Sequence, residues 1–469
     1  MTVAKPSLSL LDVEHRSLTI GLVLAVTLVA FEALAVATIM PEARDDLGGL
    51  RFYAWAFSGF LLASLVSITW AGAECDRRGP ARPITVALVL FGAGLAIAGA
   101  APAMPVLVAG RIVQGLGAGA LTSVAYVAIG RGYDEALRPR MFAVLSSAWV
   151  IPGLAGPVVA ATVAELVGWR MVFAGLLPLL VVAAVLVMPA LSRMGPPAVP
   201  SAQPQRLSRA LRLTAGAGLV LAGVSAPSVL LAAVFVPAGL FLAVPAFVLL
   251  IPPGTFAARR GTPAAVAGMG LINLAFFGTE AFIPLMLTSV RETSTLFVGI
   301  VLTGTTLSWT SGSWVTERLS RRGHRHALAM PGALIVALGI AGVAVVVAPG
   351  VPVALAAVAW TVGGLGMGMA YPTFSLTVLG NATEGAEGAA ASSMKLAEVL
   401  GPAVGIGLGG ALIAAGESAG NEGSATALVF AVMAVVALVC AFVSTRLVVA
   451  RAHGRPADAA LIPLAEQQP

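Results

Sequence analysis

Long apolar stretches, separated by short polar or glycine- and proline-containing breaks, occupy most of this chain. A helix needs about 20 predominantly apolar residues to cross the hydrocarbon core of a bilayer, and most of the stretches approach or exceed that length. None sustains the alternation of apolar and polar residues that is typical of transmembrane strands. The pattern predicts fourteen spanning helices, at residues 17–40, 53–73, 83–101, 105–129, 141–165, 169–189, 210–225, 228–251, 263–288, 296–315, 327–348, 351–379, 388–414 and 424–448.

The two central stretches decide the number of spans. The first of them, 210–225, is short and contains glycine, but residues 210–251 are mostly apolar, so a loop there would conflict with their hydropathy. We therefore predict an all-α polytopic membrane protein with two six-helix bundles and two additional central helices. The predicted units are an N-terminal bundle at 1–190, linkers with the two extra helices at 191–262, a C-terminal bundle at 263–450 and a cytoplasmic tail at 451–469.

Composition supports a membrane protein. Hydrophobic residues make up 58% of the chain, charged residues only 10%, and the mean hydropathy is +0.97. A soluble protein of 469 residues could not bury that much apolar surface in one core.

The net charge of +6 is a signal of orientation. Most arginines fall in alternate connecting segments, whereas Arg44, Arg51, Arg170 and Arg291 fall in the segments of the other side. This asymmetry follows the positive-inside rule and predicts that both termini are cytoplasmic. We expect no nucleic-acid partner. The near absence of lysine is typical of GC-rich bacterial coding, which favours a bacterial cytoplasmic membrane.

The two halves of the chain share an internal repeat. The glycine-rich stretch at 110–119 returns at 363–368, and Glu32 corresponds to Glu280 at nearly the same offset. Similar offsets at several places favour a duplicated scaffold over chance likeness between helices rich in alanine and glycine.

Three short motifs carry a resemblance to the major facilitator superfamily. They lie between spans two and three, in span four and in span five. Their residues are Gly72, Asp76, Arg77, Gly79 and Arg82; then Arg111, Gln114, Gly115 and Gly117; then Gly153, Gly156 and Pro157. The first span ends in Thr38-Ile39-Met40-Pro41, which is similar to the fourteen-span drug:proton antiporters of bacteria.

The resemblance implies two helical bundles that rock about a midplane site. It also implies that the first motif is a cytoplasmic latch and that the third, with Gly153, Gly156 and Pro157, lets helices bend and pack where the bundles meet. A basic turn needed only for orientation, or close helix packing alone, are the alternatives. The chain departs from the family at Glu32, where aspartate is usual, and at Ala160-Ala161.

Ionisable residues inside spans are the candidate coupling groups. Glu32 and Arg111 are both expected in the outer half of the membrane and, by the resemblance, beside one cavity. Glu32 could bind the coupling proton while Arg111 sets its affinity; a fixed ion pair is the alternative. Glu280 has no matching arginine, because Trp360 occupies that position. It is a second candidate for a proton or substrate site, or else a neutral, hydrogen-bonded acid.

Further polar and aromatic residues are candidates for coupling or for the cavity wall. Lys395 and Glu398 are spaced to bond one another on span thirteen, either as a structural pair or as a lysine that titrates or binds an anionic group. Gln114 and Asn273 are candidate polar lining residues. Candidate aromatic linings are Trp149, Phe276, Phe277, Trp309, Trp360 and Tyr371.

These features predict a proton-coupled exporter of hydrophobic or amphipathic compounds that works by alternating access, such as a multidrug efflux pump. No phosphate-binding loop is present, so the proton gradient is expected to drive transport and no cofactor or metal is expected. No set of nucleophile and base is found, so we do not expect an enzyme. Export of a lipid or glycolipid, and a non-transporting receptor or assembly factor, are the alternatives. The expected partners are substrate, protons and the bilayer, and we expect a monomer.

Overall fold

The structure is a computed structural model, and it describes residues 10–12, 15–134, 137–195, 204–226, 228–321, 328–381, 387–418 and 420–447. The regular structure of these residues is helical throughout. The predicted tail at 451–469 lies outside them. So do the first nine residues, and with them both chain ends on which the predicted topology depends.

The first half contains six spans built from eight helices. They are α1 Arg16–Leu47, α2 Tyr53–Arg78, α3 Ala81–Gly99, α4 Met104–Gly132, α5 Arg138–Ser147, α6 Val150–Val167, α7 Arg170–Ala174 and α8 Leu176–Ser192. A short 3₁₀ turn at Leu50–Phe52 leads into α2.

Two helices, α9 Pro204–Val224 and α10 Val229–Val248, separate the halves of the chain. The second half contains α11 Thr262–Glu280, α12 Ile283–Leu285, α13 Thr295–Arg321, α14 Ala329–Val346, α15 Ala354–Gly380, α16 Glu387–Ser418 and α17 Glu422–Ser444. A wide π turn at Met286–Val290 continues α12.

The predicted spans are present as helices. Within the described residues, thirteen segments are long and apolar enough to cross a membrane. The tenth predicted span is α13, a helix of 27 residues that carries more hydroxyl and tryptophan side chains.

Three of the spans predicted as single helices are broken. Span five is interrupted at Ala148 and Trp149, span six at Gly175, and span nine directly after Glu280. The first break separates α5, with its charged beginning, from the apolar α6.

The same packing scheme recurs in both halves. In the first half α4 packs between α2 and α3, and in the second half α15 packs between α13 and α14. Glycines permit these close contacts: a Cβ at Gly115 of α4 would overlap the carbonyl oxygen of Phe60 on α2. A Cβ at Gly368 of α15 would overlap the carbonyl oxygen of Trp309 on α13 in the same way.

The halves meet along two seams, α2 against α16 and α6 against α13. In the first seam the Ser58 hydroxyl donates to the carbonyl of Ala403 at 2.9 Å. In the second, a Cβ at Gly153 would overlap the side chain of Thr306.

The inserted helix α9 covers the first seam. It packs on both α2 and α16, and Ala217 and Leu221 form one buried cluster with Leu62 of α2 and Ala403 of α16. Helix α10 packs on α9, and its outer side is open, with Phe241 79% exposed. The inserted pair therefore bridges the two halves and presents an apolar surface of the kind lipid covers.

The molecule has two polar ends, which we name by their charges. The arginine-rich face carries the ends of α2, α4 and α17, with Arg78, Arg131 and Arg446. The acidic face carries Glu42, Asp46 and Glu422.

Candidate functional site

Glu32 of α1 and Arg111 of α4 form a buried ion pair. The guanidinium Nη1 donates to Glu32 Oε1, and the two side chains are only 1% and 2% exposed. The same Nη1 donates to Gln114 Oε1 at 3.0 Å, and Nε donates to the carbonyl of Ala56 at 3.0 Å. The guanidinium also stacks over the ring of Phe60, with 4.3 Å between its carbon and the ring centroid. Glu32 and Arg111, which the sequence analysis placed beside one cavity, are therefore in direct contact.

The pair retains unused hydrogen-bonding capacity. Among the described residues, neither Glu32 Oε2 nor Gln114 Nε2 has a hydrogen-bond partner. Buried polar atoms are normally satisfied, so these two atoms are exceptions within the buried group. Gln114 is fully buried, so it supports the pair and does not line a cavity in this conformation.

Glu280 lies at the point where α11 ends. Its side chain is half-buried, and no cation of the described residues lies within ion-pair distance. The indole of Trp360, on α15, lies close to the carboxyl group. In the first half the guanidinium of Arg111 contacts Glu32. At the corresponding position of the second half, the indole of Trp360 lies beside Glu280 instead.

Five aromatic side chains surround this region. Phe276 stacks on Trp360 with 4.6 Å between centroids and meets Trp309 edge-on at 5.4 Å. Trp309 in turn contacts Phe277 at 6.1 Å and Tyr371 at 6.0 Å. We call these five residues the aromatic cluster.

Two other predicted lining residues lie elsewhere. Trp149 is 48% exposed and sits at the break between α5 and α6. Asn273 is fully buried; its Nδ2 donates to the carbonyl of Met269 at 2.8 Å, while Oδ1 has no partner among the described residues. Neither residue belongs to the aromatic cluster.

Lys395 and Glu398 of α16 form the predicted contact. Lys395 Nζ lies 2.7 Å from Glu398 Oε1, with the side chains 41% and 21% exposed. The phenol of Tyr371 lies beside Glu398, which connects this pair to the aromatic cluster. Lys395 is partly exposed, and Tyr126 of α4 is 51% exposed.

Polar contacts join the halves at the acidic face. The Thr295 hydroxyl donates to Glu42 Oε1 at 2.6 Å, and the backbone N–H of Leu296 donates to Glu165 Oε1 at 2.9 Å. Two carboxylates of the first half thereby meet the N-terminus of α13, where the helix dipole favours negative charge. We call these four residues the α13 latch.

Two further contacts support this closure. Arg44 lies 3.5 Å from Glu422 of α17, and the Tyr53 hydroxyl donates to the carbonyl of Ala281 at 3.1 Å. The acidic face is therefore closed in this conformation.

Comparison with known proteins identifies the family. The family model described as Major Facilitator Superfamily matches residues 22–405. The chain belongs to the major facilitator superfamily. It is accordingly a multi-pass membrane transporter and not an enzyme, which confirms the predicted fold and class.

Similar proteins include drug exporters. A protein of Mycobacterium tuberculosis described as a probable multidrug-efflux transporter is 27% identical over 452 residues, which cover 92% of this chain and 95% of that protein. A multidrug transporter of Bacillus subtilis is 28% identical over 167 residues, 36% of this chain and 31% of its own.

Solved structures agree on the fold. A peptide transporter solved with sulfate has a TM-score of 0.65 at 17% identity, covering 91% of this chain and 94% of its own. A D-xylose–proton symporter has a TM-score of 0.62 at 15% identity, covering 91% and 96%.

The superfamily motif between spans two and three is built around an acid that sequence reasoning missed. Glu74, 6% exposed, bonds Arg78 at 2.9 Å and Arg82 at 2.6 Å, and lies 4.0 Å from Arg77. The helical spacing of Glu74 and Arg78, four residues apart, is the signal that could have found this pair.

The other motif residues lie as follows. Asp76 belongs to the last turn of α2, and Gly72 lies one turn earlier. Gly79 ends the helix with a φ of 82° and packs against the backbone of Met194 and Gly195. The motif is thus part of the first bundle's arginine-rich face.

Two residues of the span-five motif, Gly153 and Pro157, lie at the second seam, whereas Gly156 packs on α1 within the first half. Gly153 faces Thr306 of α13, and Gly156 lies near Phe31 of α1. Pro157 sits inside α6, and its carbonyl closely approaches Gly299 of α13.

Proposed function

We propose that this transporter is a proton-coupled exporter of hydrophobic or amphipathic compounds that works by alternating access. The observation that carries the proposal is Glu280, a half-buried carboxyl group next to the aromatic cluster with no ionic partner among the described residues. Such a group can bind a proton when water reaches it and release it when a substrate or cation approaches. The aromatic cluster offers the apolar wall that such compounds need.

Glu32 and Arg111 are proposed as the second coupling site. Their direct contact and burial fit a carboxylate whose proton affinity is set by the guanidinium. Since both are sealed here, proton exchange at Glu32 requires α1 and α4 to separate or Arg111 to move. The competing role is a fixed ion pair that holds the first bundle together.

Lys395 and Glu398 are proposed to contact polar parts of the substrate or to exchange partners with it during the cycle. Both side chains are partly exposed while paired, so we propose that a substrate group can reach them without dissociating the bundle. Asn273 and Gln114 are proposed to act only in another conformation, because both are fully buried here.

The conformational switch is proposed to use the arginine-rich face and the second seam. At the arginine-rich face, the motif with Gly72, Asp76 and Gly79 positions the arginines around Glu74. Gly153 and Pro157 are proposed to let α6 move against α13 at the second seam, and Gly156 to let it move against α1.

Orientation follows from charge. We propose that the arginine-rich face and both termini are cytoplasmic in a bacterial inner membrane. With the acidic face closed, this conformation is then the one that receives substrate from the inside. We propose a monomer as the working unit.

The experiment uses purified protein in liposomes with an imposed pH gradient, challenged with a cationic dye, a neutral drug or a labelled lipid. We expect dye or drug movement that dissipates the gradient, and loss of the coupled movement in Glu280→Gln. The control, Glu417→Gln, changes an exposed carboxyl group of α16. Drug movement that leaves the gradient unchanged, or full coupling in Glu280→Gln, contradicts the proposal. Movement of the lipid alone would favour a lipid exporter.

A further inference from the structure

A basic cavity lies at the arginine-rich face, away from the aromatic cluster. It has a volume of about 410 Å³ and is lined by Ala257, Ala258, Arg259, Arg260, Thr445 and Arg446. We call it the arginine cavity. Three of its six lining residues are arginine and none is acidic, so it favours an anion.

The turn that presents two of these arginines is firmly built. It connects α10 to α11, and the N–H of Arg259 donates to the carbonyl of Gly254 at 3.1 Å. Ala258 is held at a φ of 43°, a left-handed conformation that is uncommon for a residue with a side chain. Local strain of this kind persists only where the surroundings impose it, and it marks functional sites more often than ordinary turns.

Arg446 fastens this turn to the end of α17. Its Nη1 donates to the carbonyl of Ala257 at 2.8 Å, while its own carbonyl accepts the N–H of Gly261 at 3.1 Å. The side chains of Arg259 and Arg260 are exposed. The backbone that carries Arg259 and Arg260 is thus fixed by Arg446, and the side chains of all three arginines line the same cavity.

The surroundings are those of a membrane surface. Phe256, in the same turn, is 69% exposed and packs edge-on against Phe247 at 5.5 Å. Leu249 and Phe442 are 62% and 61% exposed beside the same helix ends. Exposed apolar side chains next to arginines fit a position where the apolar surface of the helices meets the charged head groups of a bilayer.

We propose that the arginine cavity binds the phosphate head group of an anionic phospholipid, whose acyl chains lie along the exposed apolar surface near Phe256. Guanidinium groups pair with phosphate oxygens through charge-assisted, often bidentate, hydrogen bonds. A basic turn that only orients the protein needs charge but needs neither a strained backbone nor an arginine bonded to the turn's carbonyls. Those two observations favour a site.

The test compares two variants of the full-length protein that lose the same charge. Arg259→Gln/Arg260→Gln removes two of the arginines that line the cavity, whereas Arg140→Gln/Arg318→Gln removes two exposed arginines elsewhere on the same face. Delipidated protein is titrated with phosphatidylglycerol or phosphatidylcholine, and bound lipid is counted by native mass spectrometry. We expect phosphatidylglycerol affinity to fall roughly 30-fold in the first variant and to stay near wild type in the second.

Several results would overturn the proposal. They are equal losses in the two variants, unchanged affinity in the first, or equal binding of the two lipids by the wild type. A separate arm adds inorganic phosphate alone at the same concentrations. Displacement of the lipid by phosphate would assign the cavity to a free anion and overturn the lipid assignment, whereas retention supports it.

Discussion

At the scale of single residues, the Glu32–Arg111 contact is the buried ion pair of the first bundle whose loss should cost most. Both side chains are almost fully buried, and Arg111 also bonds Gln114 and the carbonyl of Ala56. Removing one partner of such a pair leaves an uncompensated buried charge, which is far more damaging than removing both.

Arg111→Met should therefore destabilise the protein by about 3–5 kcal/mol. The double variant Glu32→Gln/Arg111→Met should recover a substantial part of that loss, because no buried charge then remains. Unfolding of the purified proteins in a denaturing detergent measures the loss of stability in the single and in the double variant. Additive losses in the double variant would mean that the two side chains do not act as a pair.

Gly115 gives a second prediction at this scale. Because a Cβ there would overlap the carbonyl of Phe60, Gly115→Ala should push α4 from α2 and destabilise the protein by about 1–3 kcal/mol. Gly130, on the same helix, has no atom within 4 Å of the point where an alanine Cβ would lie, so Gly130→Ala is the control. Thermal unfolding in mild detergent compares them, and equal midpoints would refute the close packing.

Residue types identified the candidate coupling residues in the sequence, and the contacts of Glu32 with Arg111 and of Lys395 with Glu398 are present in the structure. Intramembrane charge is rare enough that Glu32, Arg111, Glu280, Lys395 and Glu398 stand out in the sequence. The full burial of Gln114 and Asn273 could not be predicted, because it depends on which side of a helix meets its neighbour. Glu74 was missed because the superfamily motif points to Asp76, and the near-complete burial that lets Glu74 organise three arginines is visible only in the fold.

At the scale of elements, the α13 latch is the contact that we propose opens and closes during transport. It consists of two carboxylates of α1 and α6 on the N-terminal turn of α13. Alternating access requires this contact to break whenever the acidic face opens.

A thiol crosslink across the latch should stop transport. In Glu42→Cys/Thr295→Cys a short crosslinker would join the two halves at the acidic face, and substrate flux in liposomes should fall to background. Asp46→Cys/Trp169→Cys joins two positions of the first half, whose side chains are 3.3 Å apart in the native protein, and should leave flux intact. Undiminished flux after complete crosslinking of the first pair would contradict the role of the latch.

The helices themselves were the easiest elements to predict. Lipid demands long apolar segments, so their order and approximate ends follow from hydropathy. The breaks at Ala148–Trp149, at Gly175 and after Glu280 were not predicted, because an apolar run continues through each of them. Hydropathy alone therefore does not locate these breaks.

At the scale of the whole molecule, the two repeated halves differ at their candidate coupling residues. The two halves repeat the packing of α2, α3 and α4 in α13, α14 and α15. Yet Glu32 is ion-paired and sealed, whereas Glu280 is half-buried beside an indole. We expect the second half to provide the group that exchanges protons first.

Proton release on substrate binding tests this expectation most directly. The purified protein, in weakly buffered detergent solution, is mixed with a cationic substrate such as a lipophilic dye while the pH is recorded. The account predicts that binding releases a proton, that Glu280→Gln abolishes the release, and that Glu417→Gln retains it. Binding without proton release in the wild type, or undiminished release in Glu280→Gln, would contradict it.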